Sequence, residues 1–242
     1  ACGGPGRVHA RASSKELQSA MERLSTGKKI NSAADDAAGF AIAESMTAQV
    51  KGLSMGAKNA SDALGLLKVV ENATNDVTDM LQRVRELAVQ AQSGTNSAGD
   101  IANLQLEAVA LMTEITRVSS DTTYNNKAYL GADNGTISIQ VGYNDGDTID
   151  ITTYNIDAES LGVAVAAADN GDDSDVATAD LFDDNTNFIN IEKSGALAVI
   201  SNAIDQVAGY KAEWGAGQNR LEYTVSNLMN VVEFTTAARS RI

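Results

Sequence analysis

The stretch LQRVRELAVQ, Leu81 to Gln90, decides how this chain reads. From Leu66 onward, apolar residues recur in alternating steps of four and three: Leu66, Val70, Ala73, Val77, Met80, Val84, Leu87 and Ala91. That spacing keeps one stripe of a helix turned toward neighbouring helices along its length. Val84 and Leu87 belong to the stripe. Arg83 lies beside it, at helical spacing from Met80 and Leu87, while Arg85 and Glu86 face outward. Charges beside a seam are ordinarily a solvated edge. The sharper alternative is a recognition surface on a rigid helix.

Upstream, a second series runs Ala43, Met46, Val50, Leu53, Ala57, Ala60, Leu64 and Leu67. Glu71 interrupts it, and the Leu66 series takes over. The pattern predicts one helix from about Ala37 to Gln92, roughly 80 Å long at 1.5 Å per residue, whose buried face rotates where the register changes. Gly52 and Gly56 each weaken it by about 1 kcal/mol relative to Ala. Asp35 and Asp36 supply cap oxygens at its start. Before them, Leu17, Met21 and Leu24 give a short amphipathic helix over Ser14 to Thr26, and Gly27 stops it.

Downstream, SGTNSAGD (Ser93 to Asp100) is turn chemistry, with Asp100 placed to cap the next helix. That helix carries Ile101, Leu104, Ala108, Leu111, Ile115 and Val118. A short loop makes the two helices antiparallel neighbours, and the antiparallel arrangement can bring Arg83 and Glu107 onto one edge. After a loop over Thr122 to Gly135 the period falls to two. Ile137, Ile139 and Val141, then GYNDGD, then Ile149 and Ile151, predict a β-hairpin. Asn155 to Asn190 reads as a small acidic excursion without a strong core of its own. From Ser194 the helical period returns through Leu197, Ile200, Ile204, Val207, Lys211, Trp214, Gln218, Leu221, Val225, Leu228 and Val232. The expected fold is therefore mainly α, a long antiparallel helical bundle, with a β-hairpin and a small outer insert between its N- and C-terminal helical parts.

Composition narrows the chemistry. Cys2, Pro5 and His9 are the only residues of their types, and all fall in an aperiodic start. Residues 1–13 read as an expression remnant, residues 14–154 with 191–242 as the helical rod and hairpin, and residues 155–190 as the insert. Beyond the start there is no thiol, no imidazole and no Cys/His metal set. No catalytic site, cofactor or metal is expected. The net charge of −14 is local: 14 acidic residues and no Lys or Arg lie between Tyr129 and Glu192, leaving 18 of each sign elsewhere. Such an insert disfavours nucleic acid and anionic membranes as partners. No run approaches 18 apolar residues, and no signal-peptide core is visible. DNGDDSD (Asp169 to Asp175) lacks the residue order of a calcium loop and reads as a solvated acidic segment.

Five stretches, in order, resemble bacterial flagellin: LSTGKKINSAADDAAGFAIAE (from Leu24), LQRVRELAVQAQSGTNS (from Leu81), EITRVSSDTTYNNKAYL (from Glu114), IQVGYNDGDTIDI (from Ile139), and GQNRLEYTVSNL (from Gly217) with the final ARSRI. The resemblance implies an extracellular subunit of the flagellar filament that serves motility and is exported by the flagellar type III apparatus without a cleaved signal peptide. It also implies terminal filament-core helices that this chain lacks, so a soluble monomer is expected. It further implies a surface that packs other flagellin subunits and is read by the Toll-like flagellin receptor of animal hosts. The residues so implicated are Gln82, Arg83, Glu86, Leu87, Gln90 and Glu107, with Arg220 in GQNRL a weaker match. Arg83 offers a planar fork and Leu87 an apolar anchor, although Leu87 also lies on the seam.

Two other readings share parts of this layout. A flagellin-like cell-surface module whose insert binds a ligand such as a glycan has only Tyr143, Tyr154 and Phe182 to offer as a platform. A hook–filament junction protein has the same helical order, but the intact LQRVRELAVQ and the short insert favour the filament subunit.

Overall fold

A computed structural model describes residues 6–27, 29–164 and 187–241. Most of the acidic segment, with DNGDDSD and Phe182, lies outside them. The elements in order are helix α1 (Gly6–Thr26), helix α2 (Ala37–Ala91), helix α3 (Ala98–Asp121), strands β1 (Gly135–Gln140) and β2 (Thr148–Thr153), and helix α4 (Ala196–Arg241). The mainly α bundle with a hairpin is as expected. Helix α1 begins at Gly6, eight residues before the start that the apolar pattern implies, and so takes in part of the aperiodic N-terminus. The chain forms two compact units. One comprises Ala1–Lys58, Val141–Asp147 and Ser226–Ile242, the other Asn59–Gln140 and Thr148–Val225.

The second unit holds most of the buried side chains. Two polar pairs fix the antiparallel register of α2 and α4: Gln218 Nε2 donates to Glu71 Oε2 at 2.9 Å, and Lys211 Nζ to Asn75 Oδ1 at 2.6 Å. Glu71, which seemed to interrupt the seam, is thus one half of an interhelical pair. In α4, Ala196, Ile200, Ala203, Val207, Trp214 and Leu221 are buried. The hairpin packs among these helices. Its register pairs Ile137 with Ile151 and Ile139 with Ile149, Asn59 Nδ2 donates to Gln140 O at 3.0 Å, and Trp214 Nε1 to Thr152 O at 2.8 Å. Tyr154 stacks on Tyr210 with centroids 4.1 Å apart, and its hydroxyl donates to Glu213, which raises the phenol's pKa.

Three expectations are corrected here. First, α2 has no register break. Its buried positions form one unbroken three/four series: Leu53, Gly56, Ala60, Ala63, Leu67, Val70, Thr74, Val77, Leu81, Val84, Ala88 and Ala91. Thr74 enters the core because its hydroxyl donates to Val70 O at 2.6 Å. Leu66, Ala73 and Leu87 widen the stripe on one side. Second, the buried face of α3 is Ala108, Met112, Ile115 and Ser119, one position round from the Leu111 and Val118 edge. Ser119 is tolerated there because its hydroxyl donates to Leu130 O. Third, the ends of the acidic segment are core: Ile156, Ala158, Leu161, Val163 and Ile189 are at most 3% exposed. Gln105 holds the returning strand of chain with both ends of its amide, donating to Ile189 O and accepting from Ile191 N, each at 3.0 Å.

In the first unit, Asp35 and Asp36 divide the work at the start of α2. Asp36 Oδ1 accepts from Ala38 N and Gly39 N at 3.1 and 3.0 Å, which is the cap. Asp35 closes the preceding turn by accepting from Asn31 N and Ser32 N; these bonds favour its anion and lower its pKa. Gly27 ends α1 with φ of +66°, and its N–H reaches Arg23 O. Gly52 and Gly56 have a packing reason. A Cβ on Gly52 would lie 2.6 Å from Tyr143 Cβ, and one on Gly56 would collide with Val141 O. Bare helix backbone at these positions seats the tip of the hairpin.

Candidate contact surface on α2 and α3

Arg83 sits where the second unit's core meets solvent. On either side of it Leu81, Val84, Leu87 and Ala88 have no exposed surface. Gln82, Arg83, Arg85, Glu86, Val89 and Gln90 form the outward side of the same three turns. The loop after α2 folds back on its last turn: Asn96 Nδ2 donates to Gln90 O, and Ser93 N to the same carbonyl at 3.1 Å. Ser97 then caps α3. Its hydroxyl accepts from Asp100 N while the Asp100 carboxylate accepts from Ser97 N at 3.1 Å, a capping box. Asp100 is thus the third residue of the helix rather than its cap. Bonding to the Ser97 hydroxyl, then to its amide, lowers the carboxyl pKa.

This hairpin of helices brings Glu107 to Arg83, the shared edge that the two flanks implied. Arg83 Nε donates to Glu107 Oε1 at 2.9 Å and Nη2 reaches the same oxygen at 2.8 Å. Nη1 donates to Glu86 Oε2 at 3.1 Å. The guanidinium therefore bridges two helices and two carboxylates, and these bonds, led by that to Glu107, raise its pKa. The side chains of Arg83, Glu86 and Glu107 remain 49, 69 and 46% exposed. An ion pair this wet contributes little to stability and exchanges partners readily.

Of the residues singled out from sequence, Gln82, Arg83, Glu86, Gln90 and Glu107 are all exposed. Leu87 is not: it is wholly buried and offers no anchor at the surface. Arg220 is exposed on α4, with no bond to Arg83, Glu86 or Glu107 among the described residues. Sequence reasoning passed over the apolar part of this face. Val89 is 56% exposed and Leu106, beside Glu107, is 69% exposed. Both fall off the buried series of their helices, which is the signal that marks them. Among the described residues, no three His, Cys, Asp or Glu side chains converge as metal ligands, and no helix is long and apolar enough to cross a membrane.

The bacterial flagellin N-terminal helical region, as a family, matches residues 7–134. The chain belongs to the bacterial flagellin family. It is similar to flagellin of Salmonella choleraesuis, 42% identical over 88% of this chain and 43% of that one. It also resembles flagellins of Halalkalibacterium halodurans (38% identical; 93% of this chain, 76% of that) and Bacillus subtilis (39%; 93% and 79%). It thus spans less than half the length of the Salmonella relative and about three-quarters of the other two. Among solved structures, Bacillus cereus flagellin matches with a TM-score of 0.54 at 25% identity, covering 71% of this chain and 88% of that one. A flagellar hook-associated protein from Vibrio parahaemolyticus shares the fold, with a TM-score of 0.66 at 13% identity over 87% of this chain and all of that one. At that identity the likeness is one of fold alone.

Proposed function

We propose that this flagellin-family chain is a structural, non-catalytic subunit of the extracellular bacterial flagellar filament. Its exposed face at Gln82, Arg83, Glu86, Gln90 and Glu107 packs other flagellin subunits and is read by the Toll-like flagellin receptor of animal hosts. The subunit serves motility and leaves the cell through the flagellar type III apparatus. The observation that carries the surface is the Arg83–Glu107 pair, which joins α2 to α3 on the solvent side while the residues beneath are fully buried. A rigid backbone with a wet ion pair on top suits a partner that supplies its own acceptors, because Arg83 can rebind bidentately at small cost to the fold. Leu87 supports this surface from below. Arg220 is a secondary contact on α4.

Two measurements test the reading. Peptides of this chain should appear in mass spectra of filaments sheared from cells that express it; filaments without them sink the subunit assignment. Arg83→Ala should reduce signalling in a receptor reporter assay while the thermal midpoint stays put. Full signalling by that variant removes Arg83 from the surface.

A further inference from the structure

We infer that Asn134–Gly135, at the base of the hairpin, is a latent site of spontaneous deamidation held in check by the Thr153 hydroxyl. The chemistry follows from the residue pair. A backbone nitrogen can attack the side-chain carbonyl of a preceding asparagine, and glycine, having no Cβ, hinders that attack least. In this step the Gly135 nitrogen bonds to Asn134 Cγ, the Cγ–NH2 bond breaks, and ammonia leaves with the displaced proton. The product is a five-membered succinimide. Water then opens either ring carbonyl, giving aspartate or isoaspartate. The net change is asparagine plus water to acid plus ammonia, with no oxidant or cofactor.

The structure supplies both the opportunity and the restraint. Asn134 is exposed, and its side-chain amide makes no hydrogen bond among the described residues. Gly135 has φ of +141°, a conformation that leaves little room for any other residue. Yet its nitrogen is not free. Gly135 is the first residue of β1 and pairs with Thr153. The Thr153 hydroxyl accepts from Gly135 N at 3.2 Å and donates to Gly135 O at 3.2 Å. Thr153 is 2% exposed, so water does not compete for that hydroxyl. One buried side chain thus holds the nucleophilic N–H and the carbonyl of the same glycine, and attack needs the first rung of the hairpin to open. Conversion to isoaspartate lengthens the backbone by one carbon at that rung and adds a negative charge, so the paired register beyond it is disturbed.

The test is peptide mapping of the whole chain after incubation at mildly alkaline pH, scoring aspartate and isoaspartate at position 134. The peptide holding the chain's other Asn–Gly pair, Asn170–Gly171, is resolved separately. Conversion at Asn134 should run faster in urea than in the folded protein. Thr153→Val should speed the folded-state reaction about fivefold, the loss of one ordinary hydrogen bond, while Thr153→Ser should keep it slow. Asn134→Gln should abolish it. Equal rates folded and in urea overturn the restraint, whether or not Thr153→Val folds. An unconverted Asn134 after prolonged incubation in urea overturns the site.

Discussion

Helix α2 packs in two ways along one length. From residue 59 to 91 its buried stripe is made of side chains, with Leu66, Leu67, Val70, Val77, Leu81, Val84 and Leu87 nearly or fully inaccessible. From residue 37 to 58 the buried positions are Gly39, Leu53 and Gly56, and two of those three have no side chain. One half is held by apolar area removed from water; in the other, bare helix backbone at Gly39, Gly52 and Gly56 lets neighbouring residues come close. The heptad period alone does not separate these cases, because a glycine on the seam counts as a gap in the pattern while serving as the contact in the fold. Substitutions should therefore act in opposite ways in the two halves: shortening side chains should harm the first, lengthening them the second.

The largest effect is expected at Leu81. It is fully buried, and Leu81→Ala removes several methyl and methylene groups from a site that cannot collapse freely. The expected loss is about 2 to 5 kcal/mol. The chain's only tryptophan, Trp214, is 1% exposed in the same unit, so its fluorescence should report the earlier transition in urea. A midpoint within error of the parent protein would mean that the side-chain seam is not what holds residues 59–91.

Gly56→Ala tests the other half. In a free helix the change should stabilise by up to about 1 kcal/mol. Here the new methyl meets the carbonyl oxygen of Val141, a backbone atom with no rotamer to yield. Overpacking of this kind costs about 1 to 3 kcal/mol, so the sign should reverse. Gly209→Ala is the control: it is mid-helix in α4, where an added Cβ would meet nothing within 4 Å, and should gain about 1 kcal/mol. Hydrogen exchange of the amides around residues 50–58 should quicken in the first variant and not in the second. If both variants gain stability, the hairpin tip is not seated on Gly52 and Gly56.

These contrasts also mark what was legible in the sequence. Long helices and the hairpin followed from period and turn chemistry, and the Arg83–Glu107 edge followed from two flanks and a short loop. What escaped was any position where a non-apolar residue is buried. Gly56, Thr74 and Ser119 each broke an apolar count, and each is explained by a contact invisible to spacing: a hairpin backbone, a Val70 carbonyl, a Leu130 carbonyl. The buried ends of the acidic segment escaped for a related reason. Ile156, Leu161, Val163 and Ile189 follow no regular period, and the backbone of Ile156 bonds to Leu130 and that of Ile189 to Val163 and Gln105, all distant in the chain. For the contact surface, the charged members were readable. Leu87 was not separable from the core by sequence, and Val89 and Leu106 emerged only when the true stripe was known.

A smaller effect is expected at the loop between α2 and α3. Ser97→Ala removes the capping hydroxyl and should cost about 1 kcal/mol. The capping carboxylate makes this pH-dependent. The Asp100 pKa is lower in the fold than its ordinary value of 3.8, so its contribution is present above that value and is lost as the pH falls through the lowered one. The acid limb of a stability profile should therefore flatten in Asp100→Asn. An acid limb identical to that of the parent protein would show that the capping box is not coupled to folding.

The smallest effect on stability is expected at the ion pair itself. Glu107→Gln keeps the shape and one hydrogen-bond acceptor but removes the charge opposite Arg83. Both side chains are close to half exposed, so water and salt already screen the attraction. Arg83 also retains Glu86 at 3.1 Å. The thermal midpoint should stay within measurement error and should not depend on salt differently from the parent protein. This null matters for the surface, because it allows any loss of partner binding in Arg83 or Glu107 variants to be assigned to contact rather than to fold. A drop as large as that of Ser97→Ala would reverse the inference. It would make the bridge a structural tie between α2 and α3, and binding defects there would have to be judged against variants, such as Gln82→Ala, that leave the tie in place.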